Sequence, residues 1–224
     1  MSNHRETKRE RREAARLARI EAQRRAARKR KMRGVLTLVA LVVIAGLIGV
    51  AVYLSGASAR RAGQELARLA APAGCTEVQS FGDEGSTHVD SPTDVEYRTT
   101  PPTSGNHYGN VGNTGIYHVQ APDENMVHNL EHGHVGIWYA QDGIDDAVLE
   151  ALKGVVRENA TGAFLSPRPD LPDGVTIAFT AWQHMSTCGT PGASEDVAAY
   201  AGRFIEAQGA KGPEGFLPGS PAGV

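Results

Sequence analysis

The apolar positions of this chain fall into one uninterrupted run followed by a series of short periodic segments. Gly34 to Leu54 is twenty-one residues without a charge and almost without a polar side chain. At about 1.5 Å per residue, a helix of that length crosses a hydrocarbon core of roughly 30 Å. The segment Ala59 to Ala71 predicts a short juxtamembrane helix and stalk, which Pro72 ends. Residues 75–120 are rich in Gly, Pro, Ser, Thr and Asp and predict short strands joined by loops, with a strand over Ile116–Val119. Pro122 to His132 predicts a helix, with proline at its start, Asp123 and Glu124 in its first turn and Gly133 past its end.

Val135 to Tyr139 alternates as a strand does, with Val135, Ile137 and Tyr139 on one face. Ile144 to Glu158 places Ile144, Ala147, Val148, Ala151, Leu152, Val155 and Val156 on one stripe of a helix. Val175 to Trp182 reads as a strand. Ser194 to Gln208 reads as a second amphipathic helix, with Ser194 as its N-cap and Gly209 as its stop. Helices mixed with several strands in about 150 residues predict a small α+β domain with one hydrophobic core. The expected organisation is a basic segment (1–33), a transmembrane helix (34–54), a stalk (55–71) and a folded domain (72–224) whose tail from Lys211 is loose.

Charge orients this arrangement. Residues 1–33 contain fourteen Lys or Arg and four Glu, whereas residues 34–224 contain nine Lys or Arg and twenty-one acids. The basic block on one side of the apolar run places the N-terminus in the cytoplasm and the folded domain outside, in the cell membrane as a single-pass protein. Ala57-Ser58-Ala59 resembles a signal-peptide cleavage site, but the apolar run is longer than a signal sequence needs. The lipid bilayer is therefore the expected partner, with other membrane proteins as candidates beside it. The basic block has no interleaved aromatic residue, so no specific nucleic-acid binding is expected. Two cysteines, Cys75 and Cys188, fall on the oxidising side and predict one disulfide. Its loop of over one hundred residues is worth roughly 4–5 kcal/mol in the chain-entropy account. Cys188 as a metal ligand beside His184 and Met185 is the alternative.

The candidate chemistry lies in two stretches. Val127 to Val135 carries His128, Glu131, His132 and His134, in a chain with eight histidines. In a helix, His128 and His132 sit one turn apart on the same face, where two imidazoles can grip one transition metal. Glu131 lies beside them, as a ligand or as the carboxylate that orients a histidine. Pro101 to Gly109 carries His107 on a proline-stiffened loop. His118 and His184 are further candidates. Imidazole donors suit copper or zinc, and donor softness does not choose between them.

His128-Asn129-Leu130-Glu131-His132 also fits H-x-x-E-H, the inverted-zincin pattern, with Glu131 as general base of a metal-dependent hydrolase. That reading needs a further ligand downstream, where Glu150, Glu158, Glu195 and Glu206 offer no clear choice. Ser104 lacks the surroundings of an activated nucleophile. A third reading is a metal-free binding or structural module in which the histidines are packing residues.

The segments PPTSGNHYG and VHNLEHGHVGIWY, with a later strand ending in AWQ, resemble the domain-of-unknown-function family numbered 3105. The resemblance covers about residues 72–208 and implies a bacterial membrane-anchored or exported protein. Its two motifs match His107, His128, Glu131 and His132. Asn106 stands where the family often has proline, and His134 where the family is not reliably histidine. The resemblance implies no activity. The preferred reading is a binding role rather than a catalytic one, with a copper or zinc ion at His107, His128 and His132, supported by Glu131. From the charge asymmetry, protease added to spheroplasts is expected to digest residues 72–224 and spare the basic block; the reverse pattern would overturn the orientation.

Overall fold

A computed structural model describes residues 3–215. Met1, Ser2 and the end of the expected loose tail, 216–224, lie outside the described residues. The chain forms two compact units, 1–57 and 58–224. Helix α1 is Asn3–Ala70, and its part within the first unit carries the basic block and the apolar run. Its stretch Arg9–Leu54 includes a segment long and apolar enough to cross a membrane, and the side chains of that segment are exposed.

The second unit is an α+β domain. Its short strands are β1 (Gln79–Ser80), β2 (His88–Val89), β3 (His107–Tyr108) and β4 (Gly115–Ile116). Helix α2 (Asp123–Glu131) and β5 (Val135–Tyr139) come next, then α3 (Asp146–Glu158) and β6 (Ala163–Pro167). Strands β7 (Ile177–Ala181) and β8 (His184–Cys188) and helix α4 (Ser194–Gln208) complete it. Six strands form one mixed sheet in the order β1-β8-β7-β5-β6-β4, and β2 pairs with β3 in a separate parallel ladder. Helix α3 is the crossover between β5 and β6, which run parallel. The hairpin β7–β8 continues the sheet antiparallel.

Both faces of the sheet are covered. Val135, Ile137 and Tyr139 of β5 join Leu165, Phe179 and the apolar stripes of α3 and α4 in one core. Trp138, Phe164 and Ala178, from the opposite face, join Met126, Val127 and Leu130 of α2 in a second. The expected alternation of β5 is therefore present, and both of its faces are buried. Trp138 Nε1 donates to Thr180 Oγ1 across the strands at 2.8 Å, which satisfies its one polar atom inside that second core.

The structure departs from the sequence expectations at several points. The predicted stalk contributes to the domain: Leu66 and Ala70 of α1 are buried in the larger core, with Ala62 and Leu69 packed against it. Helix α3 begins two residues later than its apolar stripe, because the Asp145 carboxylate accepts the amides of Ala147 and Val148 and caps it there. Ser194 lies inside α4, and Ala193 is the capping residue. Strand β4 (Gly115–Ile116) overlaps the predicted Ile116–Val119 at Ile116 alone. The tail is held as far as Gly215: Ala210 N donates to Gly133 O at 2.7 Å and Glu214 N to Glu131 O at 3.0 Å. Cys75 and Cys188 are at disulfide distance, their Sγ atoms 2.00 Å apart, which ties the start of the domain to β8 across 113 residues. Leu152, fully buried between α3 and the sheet, tests the larger core. Leu152→Ala is expected to lower unfolding stability by about 2–5 kcal/mol, read as a shift of the denaturation midpoint by tryptophan emission; an unchanged midpoint would contradict this packing.

Candidate metal centre

Helix α2 is short but closely held. Arg168, buried at the end of β6, pairs with Asp123 in the first turn of α2 and with Asp170, and its guanidinium lies 5.0 Å from the Trp138 ring centroid. At the other end, Gly133 N donates to Leu130 O and His134 N to Asn129 O, both at 2.9 Å. This paired closure needs a left-handed residue, and Gly133 has φ +83. A side chain there would also collide with the backbone of Ala210. Along the helix, Asn129 accepts the Gly112 amide at 2.7 Å and donates to the Gly112 carbonyl at 3.0 Å. Asn125 donates to Asn110 O at 2.8 Å. The loop after β3 is thereby fixed to α2.

The loop before β3 is fixed just as closely. Tyr97 donates to Asn106 O at 2.8 Å, Asn106 Oδ1 accepts the Thr87 amide at 3.2 Å, and Ser104 Oγ accepts the Glu84 amide at 3.3 Å. Gly105 has φ +132 and lies against the Tyr97 ring, where a β-carbon would clash. In the parallel ladder of β2 and β3, His88 is the register partner of His107. The ladder lies against α2, so two histidines from strands meet His128 and Glu131 from the helix.

The donor atoms of His88, His107, His128 and Glu131 all lie within 4.8 Å of one another. A tetrahedral zinc set with bonds of about 2.0–2.1 Å has donors roughly 3.3 Å apart, so the group is slightly wider than a filled site. His107 is wholly buried, Glu131 and His128 are buried, and the half-exposed His88 forms the solvent edge. Two backbone carbonyls orient the rings: His107 Nδ1 lies 2.9 Å from Gly105 O, and His128 Nδ1 lies 2.8 Å from Tyr108 O. A carbonyl only accepts, so each Nδ1 carries a proton, and in the neutral form of either ring the lone pair lies on Nε2.

The Nε2 of His107 stands 3.0 Å from Glu131 Oε2, yet neither atom makes a hydrogen bond. With a proton on Nε2 the two form an imidazolium–carboxylate pair; with Nε2 bare, two lone pairs face one another, and a metal cation between them would relieve the repulsion. His88 Nε2 is 3.9 Å from the same carboxylate oxygen. His128 is held neutral chiefly by burial and secondly by the His107 imidazole; its pKa falls from 6.5 to about 4, opposed by its bond to the Tyr108 carbonyl. A neutral imidazole is the form that binds metal.

A second group adjoins the first. His128 Nε2 is 3.1 Å from His132 Nε2, and His132 Nε2 is 3.4 Å from Glu214 Oε2. The sequence-expected residues His107, His128 and Glu131 are therefore brought together in one group, and His132 with His128 in the other. His134, at the foot of β5, belongs to neither group among the described residues. His118 is exposed elsewhere, and His184 Nδ1 donates to Trp182 O at 2.7 Å. Ser104 is buried, and its Oγ accepts the Glu84 amide.

Two residues escaped the sequence reading. His88 lies in an irregular segment without periodic signal, and only its pairing with His107 brings it in. Glu214 lies in a Gly- and Pro-rich tail that reads as loose. The Glu131 position also bears on the hydrolase pattern: its carboxylate lies within the donor group rather than beyond it, and α2 ends at that residue.

A family model described as "Protein of unknown function (DUF3105)" matches residues 88–216, the stretch that holds both groups. No curated protein and no solved structure matches the chain.

The His128 shift sets a pH dependence. As pH falls from about 6.5 to about 4, the unfolded chain takes up a proton at this imidazole that the folded chain refuses. Stability is thus full above 6.5 and declines through that window. Thermal midpoints of the metal-free protein across the series should show a shallower acid decline in His128→Gln than in the unsubstituted chain; parallel declines would contradict it.

Proposed function

The chain belongs to the DUF3105 family of proteins of unknown function, and we propose that it is a membrane-anchored, extracytoplasmic protein that binds one copper or zinc ion through His88, His107, His128 and Glu131. The observation that carries this reading is the buried pair His107 Nε2 and Glu131 Oε2, 3.0 Å apart with neither atom in a hydrogen bond. Each of the two buried imidazoles has its other nitrogen committed to a carbonyl, the arrangement by which metal-ligating histidines are oriented. Three nitrogens and one carboxylate oxygen, with no sulfur in the group, suit Zn(II) or Cu(II) better than Cu(I). The half-exposed His88 leaves the ion a route to solvent.

Export is supported by the apolar stretch of α1 behind a basic block and by the cysteine pair at disulfide distance, which persists in oxidising compartments. Binding is favoured over hydrolysis because Glu131 faces His107 within the donor group and is not left beside a bound water as a base. Metal analysis of the purified full chain in detergent is expected to find one ion per chain. Glu131→Gln should weaken affinity at least about 10–100-fold, the loss seen when even an outlying partner of a ligand is removed. Full occupancy in Glu131→Gln together with loss of a hydrolytic activity would establish the enzyme reading instead. A chain that holds no metal at all would leave the histidines as packing residues of a binding module.

A further inference from the structure

We infer that His132 and Glu214, with His128 as the shared ligand, form an outer metal station that receives the ion and passes it inward to His107 and Glu131. The inference rests on the metal-binding reading above. His128 belongs to both groups. Its Nδ1 is committed to Tyr108 O at 2.8 Å, so only Nε2 is left to bind metal. One lone pair serves one ion, and the two groups cannot both be completed at the same time. They are alternative positions for a single ion, and not a two-metal centre.

The exposures set the direction. The side chains of His132 and Glu214 are 12% and 37% exposed, against 0% and 4% for His107 and Glu131. An ion arriving at the outer pair keeps part of its hydration there, and the hydrated Glu214 carboxylate attracts it. Moving inward, it exchanges His132 and Glu214 for His107 and Glu131 while His128 stays bound. Full desolvation is thus spread over two ligand exchanges. Glu214 is placed by the backbone: its amide donates to Glu131 O at 3.0 Å, so the outer carboxylate hangs from the residue that supplies the inner one. The half-exposed His88 offers a direct route to the inner group, and the two routes have different kinetic signatures.

The test uses the full chain in detergent with Zn2+ as probe. Equilibrium affinity comes from chelator competition, and loading rate from stopped-flow mixing with a zinc indicator. Glu214→Ala is expected to slow loading at least tenfold and to change equilibrium affinity less than threefold. In a His107→Ala/Glu131→Gln background, one weak equivalent should remain bound, and adding Glu214→Ala should abolish it. Unchanged loading in Glu214→Ala overturns the station and leaves the inner site standing, with His88 as the route. Loss of affinity in Glu214→Ala as large as in Glu131→Gln also overturns it, since Glu214 would then be an ordinary ligand of one site. Affinity in the His107→Ala/Glu131→Gln background equal to that of the unsubstituted chain would refute the inner reading while the outer ligands stand.

Discussion

A nine-residue helix held at both ends and along its length is the constraint on which the histidine cluster depends. Isolated helices of that length are unstable in water, so α2 exists because its surroundings enforce it. The Arg168–Asp123 pair fixes its first turn, Gly133 closes its last, and Asn129 binds the neighbouring loop through both atoms of its amide. Removing Asp123 would leave a nearly buried guanidinium short of a partner, which is far more costly than the pair itself is favourable. The helix cannot slide or rotate without breaking these contacts, and His128 and Glu131 are fixed with it.

Against that fixed edge the chain lays a ladder of only two residues per strand. Such a ladder has little stability of its own. It persists because the loops around it are crossed by side-chain bonds from Tyr97, Asn106 and Ser104. Polar residues that read as loop filler thus act as a frame for His107. The sheet behind α2 is covered on both faces, which gives the helix an apolar floor of Trp138, Phe164 and Ala178 and keeps water away from the inner donor atoms. In that dry setting a bare Nε2 facing a carboxylate is costly, and a cation between them relieves it.

The resulting centre is graded in exposure. Glu131 and His107 are shut in, His128 is shared by both groups, and His88, His132 and Glu214 meet solvent to different degrees. A gradient of this kind suits a protein that takes up and holds an ion. A hydrolase would instead need an open coordination position with a base poised over it.

The sequence by itself determined the elements whose signals are local. The apolar run, the charge asymmetry, the amphipathic stripes of α3 and α4 and the strand β5 were legible because periodicity and charge need no partner to be read. The H-N-L-E-H spacing placed His128, Glu131 and His132 together for the same reason, since helical pitch fixes them. Strand β6, a short run ending in proline, and β8, whose polar and sulfur-bearing residues suggested a ligand cluster around Cys188, become strands only when neighbouring strands accept their hydrogen bonds. The stalk's role in the core emerged only when α4 and the sheet met Leu66 and Ala70. His88 and Glu214 became visible only through contacts that span 19 residues of ladder register and 83 residues from Glu131 to the tail. Long-range pairing leaves no periodic trace in the chain, and tertiary structure alone decided which carboxylates and imidazoles would face one another.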